Sequence, residues 1–248
     1  FRLTPRQAKE AILDRMGLDG MIVLTFDAAL AGLSAEDFVL HVLVKQLGIS
    51  GVVAGYDFHF GAKRTGTPEF LKAAGARHGF AVEIVDKITY DASGSLDAVS
   101  STAIREALEA GDVRRARELL GHAFLIEGEV VGGAKRGREL GFPTANIVPD
   151  ASCRLKHGIY AVTVTVDGVT YGGVASFGRR PTFDAGPALL EVYLFDFQGD
   201  LYGKMVEVAF VDFIRGEQKF EATEALIEEM HGDAARARQM LASGKPHQ

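Results

Sequence analysis

From Gly128 to Asn146 the chain reads Gly-Glu-Val-Val-Gly-Gly-Ala-Lys-Arg-Gly-Arg-Glu-Leu-Gly-Phe-Pro-Thr-Ala-Asn, the densest run of chemically useful residue types in the sequence. Glycines let a backbone take positive φ and bring its amides close to an anion, and Lys135, Arg136 and Arg138 supply charge for phosphate oxygens. The Gly-Lys-Ser/Thr ending of a Walker A loop is absent, and so is a Gly-x-Gly-x-x-Gly run opening a helix. Taken alone, the segment is either a loop that holds a nucleotide or a solvated glycine-rich hairpin. Thr144 and Asn146 lie two apart, so on an extended segment both side chains point to one face. Hard oxygens of this kind, completed by water and phosphates, suit magnesium; a polar turn that caps its own backbone fits the spacing as well.

Two further clusters lie in the first half of the chain. Asp57, Phe58 and Phe60 combine a carboxylate with flat apolar surface, which a planar ligand needs and which a strand-to-loop transition with two core phenylalanines would equally show. Ser100, Ser101 and Thr102 precede Arg105 by one helical turn, a pattern that binds phosphate at a helix start or simply caps the helix. Glu191 sits in an alternating apolar stretch, where a glutamate is ordinarily the solvent-facing partner of its neighbours. No two of the 7 histidines are closer than 16 residues, and the one cysteine, Cys153, excludes an internal disulfide framework and any four-cysteine zinc site.

The elements that position these residues change character near residue 121. Before it, helical patterns alternate with short β-branched runs, as in parallel βαβ units. Helices are expected at Thr4 to Met16, Ala35 to Leu47, Glu69 to His78, Thr102 to Ala110 and Val113 to Leu120. Buried strands are expected at Met21 to Phe26, Gly51 to Ala54 and Ala81 to Ile84. After it, short alternating strands follow without intervening helices at Leu125 to Val131, Gly158 to Val166, Val169 to Ser176, Leu189 to Phe197 and Met205 to Ile214. That pattern implies a small barrel or sandwich. A last amphipathic helix is expected at Thr223 to Leu241.

Composition sets the outer bounds. The 248 residues are 47% hydrophobic and 24% charged, which excludes disorder, collagen and coiled coil. A net charge of −6 disfavours a sequence-independent nucleic-acid binder. No window reaches the roughly 18 apolar residues of a membrane-spanning helix, and the charged first 15 residues are unlike a signal peptide. A cytoplasmic protein without membrane or nucleic-acid partners is expected; oligomeric state is not legible.

Gly-Phe-Pro-Thr-Ala-Asn (141 to 146), preceded by the glycine and arginine loop, resembles the riboflavin kinase module of the bacterial bifunctional riboflavin kinase/FMN adenylyltransferases, also called FAD synthetases. The resemblance continues through His157-Gly-Ile-Tyr160, Gly173 to Phe183, Leu190-Glu191-Val-Tyr-Leu-Phe-Asp196-Phe, Asp200-Leu-Tyr-Gly203-Lys and Phe213-Ile-Arg215 to Lys219-Phe220. It departs at Ser176, where many members have asparagine. The resemblance implies a catalytic role for Glu191 as the base for the ribityl 5′-hydroxyl. It implies ATP contacts at Gly133, Lys135, Gly137, Arg138, Gly141 and Pro143, Mg²⁺ ligation by Thr144 and Asn146, and a flavin contact at Arg215.

In the first half, Gly55-Tyr-Asp57-Phe58-His-Phe60-Gly61 resembles the flavin side of the adenylyltransferase module. Ser-Ser-Thr-x-Ile-Arg, with Ser101, Thr102 and Arg105, resembles its ATP side. The His-x-Gly-His and Phe-x-Pro-His-Pro signatures of that module are missing, and the chain enters the pattern partway, as a truncated one would. The expected fold is an N-terminally incomplete α/β nucleotidyltransferase-like domain with a Rossmann-like parallel sheet (1–120). An all-β Greek-key-type small barrel with a C-terminal helix follows (121–248). The implied activity is phosphorylation of riboflavin to FMN and, in the complete protein, adenylation of FMN to FAD, with ATP, riboflavin and FMN as substrates. A monofunctional riboflavin kinase with a vestigial first domain, or a non-catalytic flavin- or nucleotide-binding module, are the alternatives.

Overall fold

The computed structural model describes residues 1–87, 99–133, 141–179 and 188–243. It contains two compact units, Gly20–Ala98 and a larger one made of Phe1–Asp19 with Val99–Gln248. Helix α1 (Arg6–Arg15) belongs to the larger unit.

The smaller unit holds α2 (Ala28–Gly32), α3 (Ala35–Asp37), β1 (Gly51–Gly55), α4 (Pro68–His78) and β2 (Ala81–Val85). Strands β1 and β2 pair in parallel with Gly51 opposite Ala81, so β1, α4 and β2 form one βαβ unit. Thr67 caps α4 by accepting from the Phe70 amide, Pro68 opens it, and Gly79 closes it in the left-handed conformation. The expected helix at Ala35 to Leu47 forms but widens to a π-helix over Phe38–Gln46. Val39, Phe60, Leu71, Ala74 and Phe80 are its buried core.

Residues 21–26 depart from expectation. They form no strand, and Ile22, Val23 and Phe26 are 68%, 53% and 81% exposed. An apolar run becomes a buried strand only beside a ladder partner, and the sheet described in this unit is the β1–β2 pair alone.

The larger unit is built on a closed barrel of β3 (Leu125–Val131), β4 (Ala145–Ile147), β5 (Gly158–Val166), β6 (Val169–Gly178), β7 (Leu189–Leu194) and β8 (Met205–Arg215). Its strand order is β3-β4-β7-β6-β5-β8, with β8 returning to β3. Alternation predicts the inward face correctly: Tyr160, Val162, Val164 and Val166 are all buried. Asp167 and Gly168, both at positive φ, make the two-residue turn that pairs Val166 with Val169. Helix α7 (Thr223–Ser243) lies over one outer patch, burying Ala234 and Ala237 with Phe142, Ala161 and Phe195.

Helices α5 (Ser101–Ala110) and α6 (Val113–Leu120), capped by Ser100 and Asp112 and closed by left-handed Gly111 and Gly121, join this unit. Their stripes Ile104, Ala107, Leu108 and Val113, Ala116, Leu119 lie in one buried cluster with Phe124, Leu155 and Tyr160. Each fully buried aliphatic contributes roughly 1.5–3 kcal/mol, so an amphipathic pair of helices is stable only against such a partner. The Lys156 amide also donates to the Leu108 carbonyl at 3.0 Å.

Candidate functional site

Strand β4 follows Gly141 and Pro143, and the extended segment through it turns Thr144 and Asn146 out of the barrel. Ala145 and Ile147 point into the barrel core, so the alternation of an extended chain puts Thr144 and Asn146 on the other face. Asn146 stands opposite Glu191 of β7, and Glu191 opposite Ser176 of β6. Ser176 then faces Ile159 of β5, and Ile159 faces Arg215 of β8. Directly opposed residues share a face with Cβ atoms about 4.5–5.5 Å apart. Asn146, Glu191 and Ser176 therefore form one row on the barrel's outer surface, and the two oxygen-bearing groups most suited to a cation and a proton are adjacent.

Asn146 is held tightly. It is 5% exposed, and its Nδ2 donates to the Thr144 carbonyl at 3.4 Å, which turns Oδ1 away from that carbonyl. On its other side lies Gly133, two residues past the end of β3. A Cβ placed on Gly133 would stand 2.3 Å from Asn146 Nδ2 and 2.7 Å from its Cγ. The glycine is there because the asparagine amide fills the space a side chain would take.

Thr144 also lines a cleft of about 290 Å³. Its walls include Val130, Pro143, Tyr193, Leu194 and Phe197, and its polar lining includes Asp196, Gln198 and Asp200. The Asp200 carboxylate accepts the Tyr202 amide at 2.9 Å and so fixes its own turn. A cleft with mixed polar and apolar walls and a hydroxyl beside Asn146 has room for a flat base joined to phosphates.

Among the residues singled out from the sequence, the structure thus brings together Gly133, Pro143, Thr144, Asn146 and Glu191. Gly141 takes φ of 85° at the turn into this segment. Lys135, Gly137 and Arg138 lie outside the described residues. Arg215 falls in the same cross-strand row, but its guanidinium is engaged: Nε and Nη2 donate to Asp233 at 3.0 and 2.7 Å, and Glu229 lies 3.3 Å away. Asp233 is 3% exposed and also holds Arg236 at 2.7 Å. The cleft residues beyond β7 carried no assigned role in the sequence; the Phe-Asp-Phe run at 195 to 197, two apolar anchors around one carboxylate, is the signal that marks them.

The first-half candidates sit in different units. In the smaller one, Phe58 stacks on Phe60 with centroids 5.4 Å apart and 21° between planes. Phe58 is 40% exposed and Phe60 7% exposed, so one ring supports the other from below. Asp57 is exposed, and its carbonyl is 2.8 Å from His59 Nδ1. In the larger unit, Ser100 caps α5 through the Ala103 amide at 3.1 Å, Ser101 and Thr102 are exposed in its first turn, and Arg105 Nε donates to the Phe1 carbonyl at 2.8 Å.

The donor chemistry bears on a metal. Among the described residues no group of three or more His, Cys, Asp or Glu side chains is placed to bind one. Thr144 and Asn146 instead offer two neutral oxygens, and the Gly133 cradle keeps the asparagine fixed. That set fits Mg²⁺, which keeps several waters and takes substrate phosphates as its remaining ligands.

Comparison with known proteins matches two family models to successive parts of the chain. A family model described as Riboflavin kinase matches residues 120–241, and one described as FAD synthetase matches residues 1–103. The chain is 42% identical over 91% of its length to a bifunctional riboflavin kinase/FMN adenylyltransferase of Pseudomonas fluorescens, covering 72% of that protein. It is 38% identical over 99% of its length to the Escherichia coli (strain K12) protein of the same name, covering 77% of it. A solved structure of a macrolide-efflux protein from Streptococcus pneumoniae superposes with a TM-score of 0.81 at 34% identity, covering 95% of this chain and 75% of that one. Among the described residues no helix is long and apolar enough to cross a membrane. The chain belongs to the family of bifunctional riboflavin kinase/FMN adenylyltransferases.

Proposed function

We propose that the barrel phosphorylates riboflavin to FMN with ATP, and that the first module is of the kind that adenylates FMN to FAD with release of pyrophosphate. The observation that carries the kinase reading is the cross-strand pair of Asn146 and Glu191 beside the Thr144 cleft. The Glu191 carboxylate accepts the proton of the ribityl 5′-hydroxyl while that oxygen bonds to the γ-phosphorus. The bond from this phosphorus to the bridging oxygen of ADP breaks, and ADP leaves. Phosphoryl transfer of this kind depends mainly on positioning and charge neutralisation. Mg²⁺ on Thr144 and Asn146 would supply positive charge on the phosphate oxygens. Lys135, Gly137 and Arg138 would contact the same phosphates, and Pro143 would lie against the nucleotide.

Arg215 is the proposed flavin contact. Clamped by Asp233, it would meet the ligand as a preset, largely neutralised group and not as a mobile charge. Asp57, Phe58 and Phe60 would receive the flavin of the second reaction, and Ser101, Thr102 and Arg105 its ATP. We place the boundary between the two modules at residue 121, with a cytoplasmic site of action where ATP and free flavin meet.

The test is to supply riboflavin, ATP and Mg²⁺ to this chain and follow FMN and ADP, which should form in equal amounts. Supplying FMN and ATP in the same way tests the second step. Because no paired imidazoles of the His-x-Gly-His kind occur in the sequence, FAD should not accumulate; appreciable turnover would overturn the requirement for them.

A further inference from the structure

We propose that His231 is a positioning residue for the phosphate donor, setting Thr144 through the ring of Phe142; this rests on the kinase reading above. Phe142 stands two residues before Thr144, between Gly141, whose φ of 85° turns the chain, and Pro143, whose ring limits its own φ. A shift at Phe142 is therefore passed to Thr144 with little slack. Pro143 and Thr144 both line the cleft.

Rings and small residues together fix Phe142. It is 4% exposed, and Ala234 and Ala237 of α7 share its buried cluster with Ala161 and Phe195. Two rings meet it at an angle: Tyr193, a wall of the cleft, with centroids 5.0 Å apart and 68° between planes, and His231 at 4.9 Å and 65°. The alanines let the helix come close, and the imidazole adds the edge-on contact that orients the ring.

Helical spacing produces this arrangement. His231, Ala234 and Arg238 follow one another at intervals of three and four residues, on one stripe of α7, and the Arg238 guanidinium stands 4.0 Å over the Phe195 ring. Asp233, two residues from His231 and so about 200° round the helix, holds Arg215 on the other flank. One helix thus touches the segment before Thr144 with one side chain and the proposed flavin contact with another. His231 is exposed, and among the described residues no hydrogen bond or ion pair engages it. Histidine suits such a place because it turns an apolar ring body to Phe142 and leaves its nitrogens to water. Truncating it orphans no polar partner, so the variant reads the ring contact alone.

The experiment compares the unaltered chain, His231→Ala and His231→Phe in steady-state phosphorylation of riboflavin with ATP and Mg²⁺. An edge-on aromatic pair changes an equilibrium constant roughly two- to tenfold, so His231→Ala should raise KM for ATP by about that factor and leave KM for riboflavin unchanged. His231→Phe keeps a ring against Phe142 and should restore KM for ATP to within about twofold of the unaltered value. Calorimetry of ADP with Mg²⁺ gives a reading without turnover: the Kd should rise in His231→Ala by the same factor. An unchanged KM for ATP and Kd for ADP in His231→Ala would overturn the assignment. So would an equal rise of both KM values or loss of the cooperative thermal transition, since either marks a general loosening of α7, and so would failure of His231→Phe to restore ATP binding. Absence of FMN from the unaltered chain would instead remove the kinase reading and this inference with it.

Discussion

Gly133→Ala isolates the positioning of Asn146 from its chemistry. The added methyl group would lie 2.3 Å from Asn146 Nδ2, 2.7 Å from Cγ and 2.9 Å from Oδ1, against 3.4 Å for ordinary contact. The amide must therefore retreat by about 1 Å. It has little room, since Asn146 is 5% exposed and its neighbour across the strand is Glu191. A displacement of about 1 Å in a positioning group costs on the order of a hundredfold in rate. The overpacking itself costs about 1–3 kcal/mol of stability, too little to unfold a protein with ordinary reserves. Steady-state kinetics with Mg²⁺ and ATP should show kcat/KM for ATP down about a hundredfold, with a cooperative thermal transition retained. Gly132→Ala is the control: among the described residues nothing lies within 4 Å of its methyl group, and its activity should stay close to that of the unaltered chain. A folded Gly133→Ala protein with kcat/KM within about twofold of the unaltered chain would refute the reasoning that Asn146 must sit where the glycine lets it sit.

Two further outcomes follow from the electrostatics. Asp233→Ala removes the carboxylate that binds Arg215 and Arg236; with Asp233 3% exposed and Arg215 20% exposed, the loss should be about 3 kcal/mol, the lower end for a broken buried pair. Urea unfolding measures it, and a loss under about 1 kcal/mol would mean that the pair is no more than a surface bridge. Glu127 stands opposite Glu207 and has one buried oxygen without a partner among the described residues. Burial first, and the Glu207 charge second, push its carboxyl above the usual range. An acid so raised is favoured in its protonated form by the fold, so its contribution is present below the unfolded pKa of about 4.3 and lost as pH rises through the folded value. Glu127→Gln should therefore raise Tm at pH 7.5 more than at pH 4; an equal change at both would contradict this.

What the sequence revealed and what it hid divide along local and non-local lines. Five of the six barrel strands were legible because alternation is written residue by residue, as in Tyr160 to Val166; β4, Ala145–Ile147, is too short to show it. The pairing of Asn146 with Glu191 was not, because register between strands 45 residues apart is settled by barrel closure and leaves no local trace. Met21 to Phe26 read as a strand on the same local signal, yet a strand also needs a neighbour, which residue pattern does not supply. α5 and α6 were legible as helices, but their shared core with Phe124 and Leu155 depends on which apolar surface they meet. Arg215 was legible as a basic residue at the end of β8, while its engagement by Asp233 depends on how α7 lies against β8. Asp196 was given no role of its own, because its left-handed backbone and its place in the cleft are tertiary facts.

The central claim is that Glu191 takes the riboflavin hydroxyl proton in a barrel that transfers phosphate from ATP. Rapid-mixing measurement of FMN formation by the unaltered chain and by Glu191→Gln, with saturating riboflavin, ATP and Mg²⁺, tests it directly. The account predicts FMN from the unaltered chain and a rate about 10²–10⁴-fold lower in the variant, with riboflavin and ADP still bound. FMN formation by Glu191→Gln at the unaltered rate would contradict it, and so would the absence of FMN from the unaltered chain.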